Sequence, residues 1–218
     1  MKQVIQSRRT GRLALKHVPA PQVKRGHVLV RTRTSLISAG TERMVVDFAK
    51  KSLAGKAKAR PDLVKKVIEK AKRDGLKATF QNVLTRLDEP LPLGYSAAGD
   101  VIGVGVGLEG VYAVGQRVAM AGAGVANHAE VNAVPENLLA SVPDDVTDEA
   151  ASFATLGAIA MHAARNLGAG LGDVVAVLGC GLVGQLAAQI LTLSGTRVVA
   201  LDYDPGRLKL ASELGVEL

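Results

Sequence analysis

Apolar and polar residues alternate in short runs at the start of the chain, from residue 1 to about residue 42. One run covers residues 28–34, and glycines and prolines separate the runs from one another. Period-two alternation between turn residues is typical of strands that bury one face. The pattern predicts antiparallel strands and turns here, and short strands again between residues 91 and 143.

The period changes to that of a helix between residues 43 and 89. Pro61 stands where a helix can begin and Gly75 where it can end. Between them, apolar residues recur at helical spacing, at Leu63, Val64, Val67, Ile68 and Ala71. A second such stripe follows at Phe80, Val83, Leu84 and Leu87. We therefore predict two or three amphipathic helices, inserted into the strand-rich part at about residues 43–89.

From about residue 147 the pattern becomes one of alternating helices and apolar strands. The predicted elements are helix 148–166, strand 173–178, helix 182–194, strand 197–201 and helix 205–214, and residues 216–218 resemble the start of a third strand. This order predicts buried parallel strands and the opening of a doubly wound α/β sheet. We expect a first domain at residues 1–146 and part of a dinucleotide-binding domain at residues 147–218, within a longer protein.

Composition excludes several classes of protein. The chain has 218 residues, one cysteine and only 3% aromatic residues. One cysteine cannot form a disulfide framework or a Cys-rich zinc site, and few aromatics argue against a single-stranded nucleic-acid binder. No secretory signal or membrane-spanning run is apparent. We expect a cytoplasmic protein that binds neither membranes nor nucleic acid.

The positive charge of the chain is concentrated in the predicted helical insertion. Residues 43–89 carry 13 Lys/Arg and 6 Asp/Glu, a balance of +7, which equals the net charge of the whole chain. Three interpretations are open: a solvated face, a docking surface for a further domain or subunit, and an electrostatic funnel for an anionic substrate. Nucleic-acid binding would suit the charge, but no motif of that class accompanies it.

The strongest motif is a G-x-G-x-x-G sequence between a predicted strand and a predicted helix. The first glycine permits a tight turn, the second lets the backbone approach a pyrophosphate, and the third allows the helix to pack on the strand. Asp202 ends the next strand, where a carboxylate can accept both ribose hydroxyls and would repel a 2′-phosphate. We therefore predict NAD in preference to NADP. The predicted dinucleotide ligands are Gly179, Gly181, Leu182, Val183, Gly184, Asp202 and Arg207.

The order of motifs resembles that of the medium-chain dehydrogenase/reductase superfamily, the alcohol dehydrogenase-like proteins. The matching segments are residues 38–42, 93–99, 114–118 and 129–131 and the glycine motif at 179–184. The resemblance implies a GroES-like β-barrel in front of a Rossmann sheet, an active site in the cleft between them, and hydride transfer to or from a nicotinamide.

The chain departs from this superfamily at the positions of the zinc ligands. Zinc-dependent members carry Cys-Gly-Thr-Asp where this chain has Ala-Gly-Thr-Glu at 39–42, and Gly-His-Glu where it has Gly-Tyr-Ser at 94–96. Thr155 stands roughly where the superfamily has a further cysteine or acid. Because alanine cannot bind zinc and hydroxyl oxygens bind it weakly, we expect a cleft without zinc.

A narrower resemblance is to the bi-domain oxidoreductases, in which such a half precedes a second dehydrogenase-like domain. Residues 39–44, 90–95 and 155–160 carry it. It implies a second domain as partner and associates the protein with sugar or sugar-nucleotide substrates.

Without zinc, hydrogen bonds or a proton donor must polarise the carbonyl. The residues near the vacated positions are Tyr95, Ser38, Thr41 and Glu42, and Tyr95 is the preferred donor because a phenol can orient and protonate an oxyanion. Alternatively, Tyr95 is a structural residue that fills the vacated metal site. His128 could line the cleft, but a solvated or core histidine is the favoured interpretation. We predict an NAD-dependent oxidoreductase acting on a small molecule, as a homo-oligomer. The competing hypothesis is a non-catalytic adaptor that binds an acidic partner through its basic helices.

Overall fold

Strands and helices follow one another in nearly the predicted order. The computed structural model describes residues 1–59, 61–75, 79, 81, 85 and 88–217. The strands are β1 (Lys2–Ser7), β2 (Leu13–His17), β3 (His27–Ser35), β4 (Pro90–Pro92), β5 (Ser96–Val104), β6 (Arg117–Ala121), β7 (Val131–Pro135), β8 (Leu139–Ser141), β9 (Val174–Leu178) and β10 (Arg197–Leu201). The helices are α1 (Ala39–Lys50), α2 (Leu53–Ala59), α3 (Pro61–Asp74), α4 (Asp148–Ala151), α5 (Ala154–Leu167), α6 (Leu182–Leu193) and α7 (Pro205–Glu213).

The first part of the chain forms two antiparallel sheets. One has the strand order β7-β3-β5-β6-β8 and the other β2-β1-β4. The larger sheet buries alternate residues, as period-two patterning requires, among them Val28, Val30, Val118 and Met120. The sheets meet where the Val4 N–H donates to the His128 carbonyl at 2.9 Å. The predicted antiparallel, strand-rich front part is therefore confirmed.

Helix α1 begins at Ala39, inside the stretch for which we predicted strand and turn, and not at residue 43. Its first turn is stabilised by Glu42, whose carboxylate accepts the Ser38 N–H at 3.2 Å. That contact satisfies a backbone donor that the start of a helix leaves without a partner, and a strand pattern does not anticipate it. Helix α3 has the predicted bounds, from Pro61 to the residue before Gly75. The predicted stripe from Phe80 to Leu87 lies outside the described residues.

Part of the apolar stripe of α3 is not buried as the helical period suggests. Val67 and Ile68 are 41% and 50% exposed, and Lys65, Lys72 and Arg73 are exposed beside them. Among the described residues, none of the helices is both long enough and apolar enough to cross a bilayer.

In the last part of the chain, β9 and β10 pair in parallel, and Glu217 forms a bridge to Val199 at the start of the predicted third strand. The expectation that both strands are buried is wrong for one face of β9, since Val174 and Leu178 are 65% and 81% exposed. The alternate residues Val175 and Val177 pack against the buried cluster instead, because the helices described here cover only one face of the pair.

The helix predicted over residues 148–166 is interrupted between α4 and α5. Ser152 lies at the break: its hydroxyl donates to the Glu149 carbonyl at 2.7 Å, and its own carbonyl accepts from Ser96 Oγ. Polar side chains that bond to nearby backbone compete with helical hydrogen bonds in this way. Because Ser96 lies in β5, this hydrogen bond also connects the two helices to the larger sheet.

Candidate active site

The glycine motif forms the turn between β9 and α6, as predicted. Gly179 has φ +94°, and its N–H donates to the Leu201 carbonyl at 2.8 Å, which joins the turn to the end of β10. A Cβ on Gly184 would lie 1.9 Å from the Gly179 carbonyl oxygen, so only glycine allows the helix to approach the turn this closely. A Cβ on Gly181 would meet no atom within 4 Å.

The space beside Gly181 fits the pyrophosphate of a dinucleotide. Gly181 is the N-cap of α6, with φ −73° and no side-chain cap, so the first N–H groups of the helix are free to bind an anion. Leu182 and Val183 in the first turn are each 38% exposed. The residues present therefore fit a dinucleotide, and the backbone at Gly179, Gly181, Leu182, Val183 and Gly184 would hold its phosphates.

Asp202 is held against the glycine motif. Its Oδ2 accepts the Cys180 N–H at 2.7 Å and its Oδ1 accepts the Asp204 N–H at 2.9 Å, and its side chain is only 8% exposed. Arg207 Nη1 lies 3.6 Å from Asp202 Oδ2 and Arg207 Nε lies 3.5 Å from Asp204 Oδ2. Oδ1 of Asp202 keeps a second lone pair, which a ribose hydroxyl could use. The predicted ribose contact stays a prediction.

These contacts make the stability of the fold depend on the ionisation of Asp202. Hydrogen bonds from the backbone N–H groups of Asp204 and Cys180 lower the pKa of Asp202. A lowered pKa in the folded state means that the stabilisation is complete above about pH 4, the unfolded value, and is lost as the pH falls through the folded value. We expect the midpoint of thermal unfolding to fall less between pH 6 and pH 3 in Asp202→Asn than in the wild type.

The exposed Asp145 provides a matched control, because Asp145→Asn removes a carboxylate without such contacts among the described residues. If the thermal midpoint of Asp202→Asn depended on pH as that of the wild type does, the stabilising role of the Asp202 carboxylate would be contradicted.

On the barrel side, Tyr95 lies where β5 begins and is half-buried. The hydroxyl of Thr155, in α5, donates to the Tyr95 carbonyl at 3.3 Å, so the structure brings these two predicted positions together. Ser38 Oγ donates to Thr41 Oγ1 at 3.4 Å in the first turn of α1. Ser38 is buried and Thr41 is exposed.

The side chains at the positions of the superfamily's zinc ligands do not form a zinc site. Ser96 Oγ donates to the Ser152 carbonyl, and Thr155 Oγ1 donates to the carbonyls of Tyr95 and Met120. Among the described residues, no group of three or more His, Cys, Asp and Glu side chains could hold a metal ion. Zinc ligands in proteins are thiolates, imidazoles and carboxylates, so the residues present do not fit zinc.

The structure adds a residue to the site that the sequence pattern did not favour. His128 Nε2 lies 3.1 Å from Glu42 Oε1, and His128 Nδ1 lies 2.8 Å from Ser35 Oγ. Gly94 has φ +95°, and a Cβ there would lie 2.6 Å from the His128 nitrogen, so His128 packs directly against the residue before Tyr95. The only signal in the sequence is the position of His128 beside the strand motif at 129–131, which does not reveal its partners.

The only cysteine of the chain, Cys180, is not suited to redox chemistry. It is 2% exposed, and burial together with the charge of Asp202 raises the pKa of its thiol. A thiol that stays protonated is a poor nucleophile. Its role in the turn is therefore one of packing.

A charge network connects the barrel to the start of the second part of the chain. Asp148, at the beginning of α4, accepts from Arg33 Nη1 at 3.3 Å and from Arg117 Nε at 3.0 Å. Arg33 Nε also donates to Asp100 at 2.7 Å. These pairs join β3, β5 and β6 to α4, next to the Ser96–Ser152 hydrogen bond.

Comparison with known proteins shows which dehydrogenases the chain is similar to. No model of a known protein family matches the chain. (R,R)-butanediol dehydrogenase of Bacillus subtilis (strain 168) is 31% identical over 157 residues, covering 61% of this chain and 45% of that protein. L-threonine 3-dehydrogenase of Chelativorans sp. (strain BNC1) is 34% identical over 155 residues, covering 58% and 44%. The match therefore spans less than half the length of either relative.

Among solved structures, mycobacterial Rv1454c complexed with NADPH has a TM-score of 0.73 and 24% identity, covering 100% of this chain and 58% of that one. This likeness confirms the predicted fold class, an α/β chain with a GroES-like barrel, a helical insertion and the start of a Rossmann sheet. In sequence and in fold, the chain is therefore similar to alcohol and threonine dehydrogenases and to quinone oxidoreductases of the medium-chain dehydrogenase/reductase superfamily, the resemblance that its motifs predict.

Proposed function

We propose that the chain is the front part of an NAD(H)-dependent oxidoreductase that interconverts an alcohol and a carbonyl compound without zinc. The observation that carries this proposal is the turn at 179–184, with open space at Gly181 and Asp202 bound to its backbone. The names of the two relatives give butanediol and L-threonine as their substrates, and both compounds carry a secondary alcohol. When bound, a nicotinamide accepts or delivers the hydride.

The charges around Asp202 support NAD(H) in preference to NADP(H). Two carboxylates, Asp202 and Asp204, lie against one guanidinium, that of Arg207. The net charge of these three side chains is therefore negative, and a 2′-phosphate would place a further negative charge beside them. Arg207 would contact the ribose side of the dinucleotide, while Asp202 would accept its hydroxyls.

Titration of the full-length protein with NADH and with NADPH tests this function. We expect saturable binding of NADH and weaker binding of NADPH, followed by hydride transfer with butane-2,3-diol, L-threonine or a sugar alcohol as probe. Absence of binding by both dinucleotides in a folded protein would contradict the proposal. A folded protein that transfers no hydride but binds an acidic partner in a salt-sensitive way would support the adaptor instead.

The basic insertion supports an anionic substrate, such as a sugar nucleotide, as the narrower resemblance implies. Charge of one sign near a cleft raises the association rate of ligands of the opposite sign, and salt screens this effect. A strong decrease of kcat/KM with ionic strength for an anionic substrate, and none for a neutral one, would support this role.

Zinc should be absent from the purified full-length protein. The side chains at 39, 95, 96 and 155 offer neither thiolate nor imidazole, and the hydroxyls of Ser96 and Thr155 are engaged by backbone carbonyls. Elemental analysis should find well under one zinc per chain. One equivalent of zinc, lost together with activity on chelation, would contradict this prediction.

Tyr95→Phe should lower kcat by about 100-fold, since a lost hydrogen bond to the developing oxyanion costs on that order. Binding of NADH should not change, because the predicted dinucleotide ligands lie in the other part of the chain. Tyr112→Phe, in a residue that packs against the barrel core, is the matched control and should keep wild-type kcat. Unchanged turnover in Tyr95→Phe would make Tyr95 a structural residue and direct attention to Ser38 and Thr41.

A further inference from the structure

The Ser35–His128–Glu42 cluster joins residues from three separate elements. Ser35 is the last residue of β3, Glu42 lies in the first turn of α1, and His128 lies in the loop before β7. The side chains of His128 and Glu42 are 10% and 14% exposed, and Ser35 is partly exposed. Polar side chains enclosed to this degree are held in place by their hydrogen bonds.

The hydrogen bonds determine which nitrogen of His128 carries the proton. Glu42 Oε1 accepts the Ser38 N–H at 3.2 Å and lies 3.1 Å from His128 Nε2. An ionised carboxylate only accepts, so the proton of the neutral imidazole is on Nε2. The lone pair of Nδ1 then accepts the Ser35 hydroxyl at 2.8 Å.

This arrangement is that of a hydroxyl activated by a base and an orienting acid. The imidazole can take the hydroxyl proton, and the carboxylate stabilises the imidazolium that forms. No other titratable side chain is seen to bond the ring among the described residues. Glu130, two residues along the chain, is directed elsewhere and accepts the Lys2 N–H at 2.7 Å.

We propose that the Ser35–His128–Glu42 cluster is the proton path of the active site, with the Ser35 hydroxyl in contact with the reacting oxygen. This inference rests on the proposed oxidoreductase function. His128 packs against Gly94, next to Tyr95, so the cluster lies beside the residue that we propose as a hydrogen-bond donor to the substrate oxygen. In this arrangement the Tyr95 hydroxyl orients the oxygen and Ser35 exchanges its proton. His128 and Glu42 act through Ser35 and are positioning residues.

In alcohol oxidation, the substrate hydroxyl passes its proton to Ser35 Oγ while the Ser35 proton passes to His128 Nδ1. The C–H bond of the same substrate carbon breaks, and its electron pair leaves with the hydrogen as a hydride for the oxidised nicotinamide. A carbonyl compound, a reduced nicotinamide and one proton on His128 result. Carbonyl reduction runs in the opposite direction, and the proton returns through Ser35.

A cluster that only fastens α1 to the barrel would have the same contacts, so the test compares variants that lose the proton transfer with a variant that keeps the hydroxyl and with one that can still form a hydrogen bond. Ser35→Ala removes the hydroxyl and Ser35→Thr retains it. His128→Gln can still hydrogen-bond but cannot hold the proton. His27→Gln and Ser141→Ala, elsewhere on the barrel, are the matched controls.

The measurements use the full-length protein, with butane-2,3-diol, L-threonine and a sugar alcohol as probes. We expect kcat to fall about 100-fold in Ser35→Ala and His128→Gln, the usual contribution of general acid–base catalysis. Ser35→Thr should stay near wild type, and the Kd of NADH should be the same in all variants. The wild type and His128→Gln should differ in the dependence of kcat on pH, whereas His27→Gln should match the wild type.

An independent readout requires no turnover. Nitrogen-15 NMR of the histidine rings should find neutral His128 protonated at Nε2, and Glu42→Ala, which removes the acceptor of that proton, should weaken this preference. Protonation at Nδ1, or wild-type kcat and pH profile in Ser35→Ala, would overturn the proton path alone. Failure of the wild type to bind NADH would overturn the proposed function, and with it the catalytic assignment of the cluster.

Discussion

Gly181→Ala should weaken the binding of NADH by about tenfold or more, which corresponds to ~1.4 kcal/mol, while leaving the fold unchanged. Gly181 has φ −73°, a value that alanine adopts without strain, and its Cβ would meet no protein atom within 4 Å. The added methyl group would instead occupy the space where the backbone has to approach the pyrophosphate. Binding measured by titration, beside the midpoint of thermal unfolding, separates the two effects.

Gly170→Ala is the matched control for this variant. Gly170 precedes β9 at the end opposite to the glycine motif, and the nearest atom to its Cβ would be Asp173 Oδ2 at 3.9 Å, an ordinary contact. It should bind NADH like the wild type. Equal affinity of Gly181→Ala and Gly170→Ala would place the dinucleotide elsewhere.

Gly184→Ala, unlike Gly181→Ala, should destabilise the fold itself. Its Cβ would lie 1.9 Å from the Gly179 carbonyl oxygen and 3.0 Å from the carbonyl carbon, so α6 would have to move away from the turn. Overpacking of this kind costs about 1–3 kcal/mol and sometimes more. That loss exceeds the gain of up to ~1 kcal/mol that alanine has over glycine inside a helix. Denaturant unfolding of the full-length protein measures the difference.

Gly157→Ala, in α5, separates the clash from the helical propensity. Its Cβ would meet no atom within 4 Å, so the same change should leave stability equal or slightly higher. A Gly184→Ala protein as stable as wild type would mean that α6 can shift without cost. The close packing of the third glycine would then have no role in holding the turn.

Much of the fold and of the predicted dinucleotide site could be inferred from the sequence because their signals are local. Pro61 and Gly75 delimit α3, and the glycine motif lies between β9 and α6 with Asp202 after β10. Turns, helix ends and the period of apolar residues depend on neighbours within a few positions. The order of the elements and the position of the glycine turn could therefore be predicted from local patterns alone.

Contacts between side chains that are far apart in the chain could not be predicted in this way. Ser35 and His128 are separated by 93 positions, and Glu42 and His128 by 86, so no periodicity relates them. Likewise, the exposure of Val67 and Ile68 depends on what packs against α3, and the burial of Asp202 depends on the turn at 179–184. Strand register and helix packing bring such groups within hydrogen-bonding distance, and these are properties of the whole fold that a local pattern does not contain.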